Sequence, residues 1–216
     1  DQNHMSNYNF SNITIFDSNC GINLTVRDSG SIQKVNFTNI HIETRMHTGD
    51  WWGNGEPIKI SALRGVPNSP IGIIKDIHFA NITCESENSV LMYASDEAKI
   101  ENVYFDNFDF LLKKGKLEDV SGGNFDLRPN TVPGKEIYES NIPVVYIENA
   151  ENVFFNQGTI GWQGVEKKYY THAIEAIKVD YLRLNNMRAV SSPSNPNLPA
   201  ISLKDCTNVV DNSVNK

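Results

Sequence analysis

The sequence holds no apolar run near the roughly 18 residues that a bilayer-spanning helix needs, so it offers no membrane span. It has no basic surplus either. Against 26 Asp and Glu stand 19 Lys and Arg, a formal net charge of −7 with no basic stripe, so neither nucleic acid nor an anionic membrane surface is an expected partner. Cysteine is scarce: Cys20, Cys84 and Cys206 are odd in number and fall at different places in the pattern described next. Packed thiols are expected from that, rather than a disulfide framework or a metal site. No run of oxygen ligands has the spacing of a calcium loop, so no metal or other cofactor is expected. Missing too is any long apolar stripe at helical spacing, which excludes alternating βαβ folds. With 39% hydrophobic residues the chain can nonetheless bury a core.

What the chain does have is one short phrase that keeps returning. Phe-x-Asn-Ile or a variant occurs at Phe10, Phe37, Phe79 and Phe105, weakens to Phe155-x-Gln157, and returns as Leu184-x-Asn186-Met187. The lead positions are 27, 42, 26, 50 and 29 residues apart, a base period near 26–29 with two stretched copies. Each copy opens with an alternating strand-like run such as Val35 to Ile42. A variable segment follows, then a second strand at 21–26, 57–62, 89–94, 143–148, 173–178 and 200–205. Short strands at that period predict a solenoid. The fold class expected is all-β, a right-handed single-stranded parallel β-helix of six to seven rungs covering 1–216.

In such a stack, equivalent side chains lie about 4.8 Å apart, so the recurring Asn is read as a buried hydrogen-bonded ladder. That reading also accounts for the Asn-x-Thr triplets at Asn12, Asn36 and Asn81, which otherwise resemble glycosylation acceptors. The first rung begins near Asn9, and Val209 opens what reads as a further rung. A longer β-helix is therefore expected, continuing N-terminally, with those missing rungs as a partner.

Function in solenoids collects in inserts. Three depart from the repeat, at 43–56, 113–141 and 164–170, all between a first and a second strand. They are expected to rise as one wall. It would carry Arg45, His47, Trp51, Trp52, Glu56, Asp126, Arg128, Lys167, Tyr169 and Tyr170. Aromatic faces beside charged groups suit a sugar: rings stack on C–H faces, and the Arg fork grips carboxylates.

The phrase Trp51-Trp-Gly-Asn-Gly-Glu-Pro-Ile58, with Ile40-His-Ile-Glu-Thr-Arg45 before it and Gly72-Ile-Ile-Lys-Asp-Ile77 after it, resembles the C-terminal half of family 28 glycoside hydrolases, the polygalacturonase-like pectinases. The likeness extends to Asn124-Phe-Asp-Leu-Arg-Pro129 and Val145-Tyr-Ile-Glu148. It implies a hydrolase acting on pectin or a rhamnogalacturonan-like glycan outside the cytoplasm, extracellular or periplasmic, with carboxylates that protonate the leaving oxygen and activate water. Substrate-binding residues implied on this chain are Arg45, His47, Trp51, Trp52, Asn54, Glu56, Lys59 and Arg128.

The family's Asn-Thr-Asp, Asp-Asp, Gly-His-Gly and Arg-Ile-Lys signatures do not occur; the nearest match is Gly21-Ile-Asn-Leu-Thr25. Aligning the second strands puts Asn23, Lys59, Leu91, Val145, Glu175 and Ser202 on the outward face, which offers one carboxylate where inversion needs two. Three readings follow. The acids lie on rungs before Asp1; or they lie on this chain, among Glu43, Glu56, Asp126 and Glu148, with Glu56 and Asp126 the leading catalytic candidates; or the chain is a non-catalytic carbohydrate-binding or structural β-helix.

Overall fold

Each copy of the repeat folds into one long bent strand and one short straight strand. The computed structural model describes residues 3–48, 53–128 and 137–214. In chain order the elements are β1 (His4–Ser18), β2 (Cys20–Arg27), β3 (Ser31–Thr44), β4 (Glu56–Leu63), β5 (Ile73–Ser86), β6 (Val90–Ala94) and β7 (Ile100–Lys113). The single-turn α1 (Glu118–Ser121), β8 (Asn124–Asp126) and β9 (Ile137–Glu139) come next. The chain continues through β10 (Val145–Gln163), β11 (Ile174–Ala189), β12 (Ile201–Lys204) and β13 (Val210–Asn212).

Two parallel ladders run side by side. One joins β1, β3, β5, β7, the second part of β10, the second part of β11 and β13. The other joins β2, β4, β6 and the opening residues of β10 and β11, then β12. One member of each ladder makes one turn of the coil, so the described residues form six complete rungs and the start of a seventh. This is the parallel β-helix expected from the period, with the second strands within two residues of their expected places. Among the described residues only β8 and β9 pair antiparallel, as a two-stranded hairpin sheet inside the second insert.

The recurring Asn has a backbone cause. Asn12, Asn39, Asn81 and Asn107 all adopt left-handed φ of 53–58°, and Gln157 and Asn186 take the same place at 56° and 48°. Side chains on Cβ crowd that region, and Asn tolerates it better than most residues. The bend it makes turns each long strand around a corner of the coil. The expected ladder is present: Asn107 Nδ2 donates to Asn81 Oδ1 at 2.8 Å, Asn81 to Asn39 at 2.8 Å, and Asn39 to Asn12 at 3.1 Å. It is exposed, not buried, because a left-handed corner turns its side chain away from the core. Asn36 belongs to a second column, donating to Asn9 Oδ1 at 2.7 Å.

Inside the coil, the phrase's leading residue builds a column of rings. Phe37 stacks on Phe79 at 5.0 Å, Phe79 on Phe105 at 4.7 Å, and Phe105 on Phe155 at 4.8 Å. The offset between rungs sets the ring spacing, so each ring buries both faces. Leu184, level with Phe155, closes the far end without exposure. At the near end Tyr8 and Phe10 on β1 continue the column but remain exposed, on the edge that no described strand covers. The three thiols are free, and Cys84 packs in the core.

Candidate functional site

The three inserts converge as expected. Each leaves the coil at the corner between the two ladders, and they pack on one another. Asn54 Nδ2 donates to Ser121 O at 2.6 Å and to Asn124 Oδ1 at 2.8 Å, tying the first insert to the second. Tyr169 of the third insert closes on Gly122 and Gly123; a Cβ at Gly122 would meet its hydroxyl at 2.3 Å, and Gly123 takes φ +73°. The glycine pair therefore lets the hairpin lie under that ring. A fourth, shorter excursion at 190–200 joins the wall: Asn195 Nδ2 donates to the Lys168 and Tyr170 carbonyls.

Packing that tightly seals the wall's base. Glu56 is 0% exposed; its Oε2 accepts from the Asn54 amide at 2.5 Å and its Oε1 from the Asp126 amide at 3.5 Å. Asp126, 1% exposed, accepts from the Gly53 amide at 2.7 Å and takes both prongs of the Arg128 fork, Nε at 3.0 Å and Nη2 at 2.8 Å. Lys59 is also 0% exposed, and its Nζ donates to Asp126 O at 2.5 Å and Arg128 O at 3.3 Å. Burial raises the Glu56 carboxyl above the ordinary range, with the Lys59 charge and backbone amides opposing. Burial acts the same way on Asp126, but the Arg128 fork, the amides and Lys59 outweigh it and hold that carboxyl low.

The structure thus brings Asn54, Glu56, Lys59, Asp126 and Arg128 together as an anchor for the inserts. In this arrangement neither acid reaches a polymer, and the Arg128 fork is already occupied. Lys59, expected on an open face, is roofed by the hairpin, and β4 is buried along its whole length. His47 lies above this network in a cavity of about 200 Å³, with Asn54, Asp126 and Arg128 in its lining. Arg45 points elsewhere, paired with Asp17 beside a charged cleft of about 670 Å³ that also includes Glu43 and Lys113. Tyr170 is fully buried, with its hydroxyl 3.4 Å from Glu118 Oε2, so it serves the core and not the wall. Trp51 and Trp52 lie outside the described residues.

The outward face of the second ladder differs from the expected one by one residue. Leu91 pairs with Tyr146, and Tyr146 with Glu175, so the column reads Asn23, Lys59, Leu91, Tyr146, Glu175, Ser202. The strand expected at 143–148 opens at Val145, which displaces the register by one residue. One residue of slip turns every side chain over. The neighbouring outward column becomes Thr25, Ser61, Tyr93, Glu148, Ile177 and Lys204. A legible signal existed: the expected register aimed charged Glu148 into the core and left Ile147 outside, and only the observed one buries Ile147.

Beyond the roof, this face carries a group of phenols and carboxylates, of which Tyr93, Glu148 and Glu175 are half-buried and Tyr146 is buried. Tyr146 Oη donates to Glu148 Oε2 at 2.5 Å. Tyr138 of β9 leans over them, with its ring edge-on to Phe125 at 5.9 Å, and Phe125 packs on Tyr146 at 4.9 Å. Burial, then the Glu148 charge, pushes the Tyr93 phenol up to about 12, and burial raises Tyr138 and Tyr146 as well. All three phenols are therefore donors at neutral pH. Glu175 Oε2 is buried with no hydrogen-bond partner, and burial, reinforced by the Glu148 charge against that of His172, raises its carboxyl.

The fold and this face define a parallel β-helix whose second ladder is roofed at one stretch and half-buried at the next. Comparison with protein-family models and with curated proteins gave no match. Among solved structures the chain is similar to the A-module of the mannuronan C-5 epimerase AlgE6 of Azotobacter vinelandii, at 10% identity and a TM-score of 0.31. The match covers 94% of this chain and 54% of that one, so the chain spans about half of its length.

Proposed function

We propose that the chain belongs to a polysaccharide-cleaving β-helix of the polygalacturonase-like type, acting on pectin or a rhamnogalacturonan-like glycan outside the cytoplasm. Its rungs and packed inserts supply the substrate cleft and its wall. One observation carries the reading: the second ladder bears half-buried Tyr93, Glu148 and Glu175, with buried Tyr146 among them, on a single face beside the wall the inserts build. A polymer needs a trough open at both ends. Phenols that stay protonated suit sugar hydroxyls, and ring faces suit sugar C–H faces.

The test is release of reducing ends from polygalacturonate and from rhamnogalacturonan, with retention of each polymer measured in parallel by affinity electrophoresis. Cleavage with retention is the expected result. Retention with no new reducing ends would replace this reading by a non-catalytic carbohydrate-binding β-helix. The sealed anchor of Glu56 and Asp126 favours that second reading, because it removes the two leading acids from solvent. Neither retention nor cleavage would leave a structural β-helix.

A further inference from the structure

Resting on the glycan reading above, we propose that the charged cleft on the first-ladder side of the inserts holds one hexuronate residue of the polymer, with Lys116 taking its carboxylate and Glu87 a ring hydroxyl. The cleft measures about 670 Å³ and opens where β3 and β7 run into the first and second inserts. None of its lining comes from the second ladder, so it stands apart from the phenol and carboxylate face described above. Sites for sugar-sized ligands span about 300–1,000 Å³.

One glycine builds it. Gly115 crosses the Glu87 carboxyl so closely that a Cβ there would meet Oε2 at 2.6 Å. The run Lys113-Lys114-Gly115-Lys116 therefore wraps that acid, and its three lysines line the cleft together with Arg45. Four of the chain's 19 Lys and Arg thus gather at one place in a molecule of net charge −7.

Most of this charge is already committed. Lys113 Nζ donates to Glu43 Oε1 at 3.0 Å and to Glu85 Oε2 at 3.4 Å. Lys114 Nζ donates to Glu166 Oε2 at 3.1 Å and lies 3.6 Å from Glu118 Oε1. Arg45 pairs with Asp17. Lys116 differs: it is exposed, and among the described residues it makes no hydrogen bond or close ion pair, although its charge acts on Asp17 and Glu87. An ammonium left over at the edge of a cleft whose other cations are matched is a place for one anion.

Glu87 supplies the second contact. It is 8% exposed, and its Oε2 accepts from the Met46 amide at 2.8 Å. Its Oε1 accepts no hydrogen bond among the described residues. Burial raises this carboxyl above the ordinary range, against the charges of Lys113, Arg45 and Lys116. Such a group meets a hydroxyl in either protonation state, accepting when ionised and donating when neutral. Half-buried Leu117 adds an apolar side for a C–H face. One spare cation, one open carboxyl oxygen and one apolar side match a hexuronate. A neutral hexose would leave Lys116 unused, and a small inorganic anion would meet Glu87 as a like charge.

Affinity electrophoresis of the full chain on polygalacturonate, and on the same polymer with its carboxylates methyl-esterified, tests the site, with circular dichroism to check folding. Lys116→Glu should lower retention on polygalacturonate about tenfold, because an anion then faces the carboxylate. Lys116→Arg should keep it. Lys34→Glu, the same change of charge at an exposed lysine outside the cleft, should alter retention less than about twofold. The wild type should hold the esterified polymer no better than Lys116→Glu holds the free acid. Retention of Lys116→Glu within about twofold of wild type, an equal fall in Lys34→Glu, or undiminished retention of the esterified polymer overturns the site and leaves the glycan reading standing. Retention of neither polymer by the wild type overturns both.

Discussion

Replacing Lys59 by Met asks whether the buried cluster is an anchor or a binding site. Lys59 is fully buried, and its ammonium satisfies the Asp126 and Arg128 carbonyls while lying beside the Glu56 and Asp126 carboxylates. Met fills similar volume, so little packing is lost; what remains is two unsatisfied carbonyls and buried anions with less compensation. Breaking a buried charge group by removing one partner costs about 3–5 kcal/mol. The loss should shrink at low pH. Burial raises the folded Glu56 pKa, so its favourable contribution is complete below its ordinary 4.5 and is lost as pH rises through the folded value. Without the cation that folded value climbs further, and the gap between variant and wild type widens as pH rises through the raised wild-type value. Asp126 acts in the opposite sense: held low, it stabilises above its ordinary 3.8, and losing Lys59 removes part of that support at neutral pH. Urea unfolding at pH 5 and pH 8 measures both effects. Adding Glu56→Gln to Lys59→Met should recover about 1 kcal/mol or more, a coupling expected of contacting residues. A variant as stable as wild type at pH 8 would refute the anchor and return Lys59 to the substrate.

At the corner, Asn81→Ala should cost about 1–2 kcal/mol from left-handed strain, and Asn81→Gly should recover that part; equal losses in thermal unfolding would assign the effect to the ladder bonds instead. Phe105→Ala, between two stacked rings and fully buried, should cost about 3–5 kcal/mol and lower the urea midpoint more than the same change at exposed Phe10. Burial pushes the half-buried Cys20 thiol up to about 12 and the fully buried Cys84 thiol higher, so a thiol reagent at pH 8 should react slowly with Cys20 and reach Cys84 only after unfolding. Rapid native labelling of Cys84 would count against its place in the core.

Much of the coil was legible because β-helix physics repeats: each rung must bury the same column and turn the same corner. The Phe positions, the second strands and the convergence of the inserts all followed from the period. The ladder's exposure did not, because the spacing that reveals a repeated Asn says nothing of the φ that turns it outward. Nor did the fate of Glu56, Asp126 and Lys59. They look like binding residues in the sequence, yet the hairpin that carries Asp126, 70 residues beyond Glu56, closes over Glu56 and Lys59. The register of Glu148 lay within reach, since a buried Ile147 and an outward Glu148 satisfy burial better than the reverse.

By itself the sequence determined a coil of parallel strands with one corner for its inserts, since identical rungs can stack in few ways. Tertiary structure decided which charges are sealed and which stand open. That depends on long-range packing of irregular segments, where one residue of register or one roofing hairpin exchanges solvent for core.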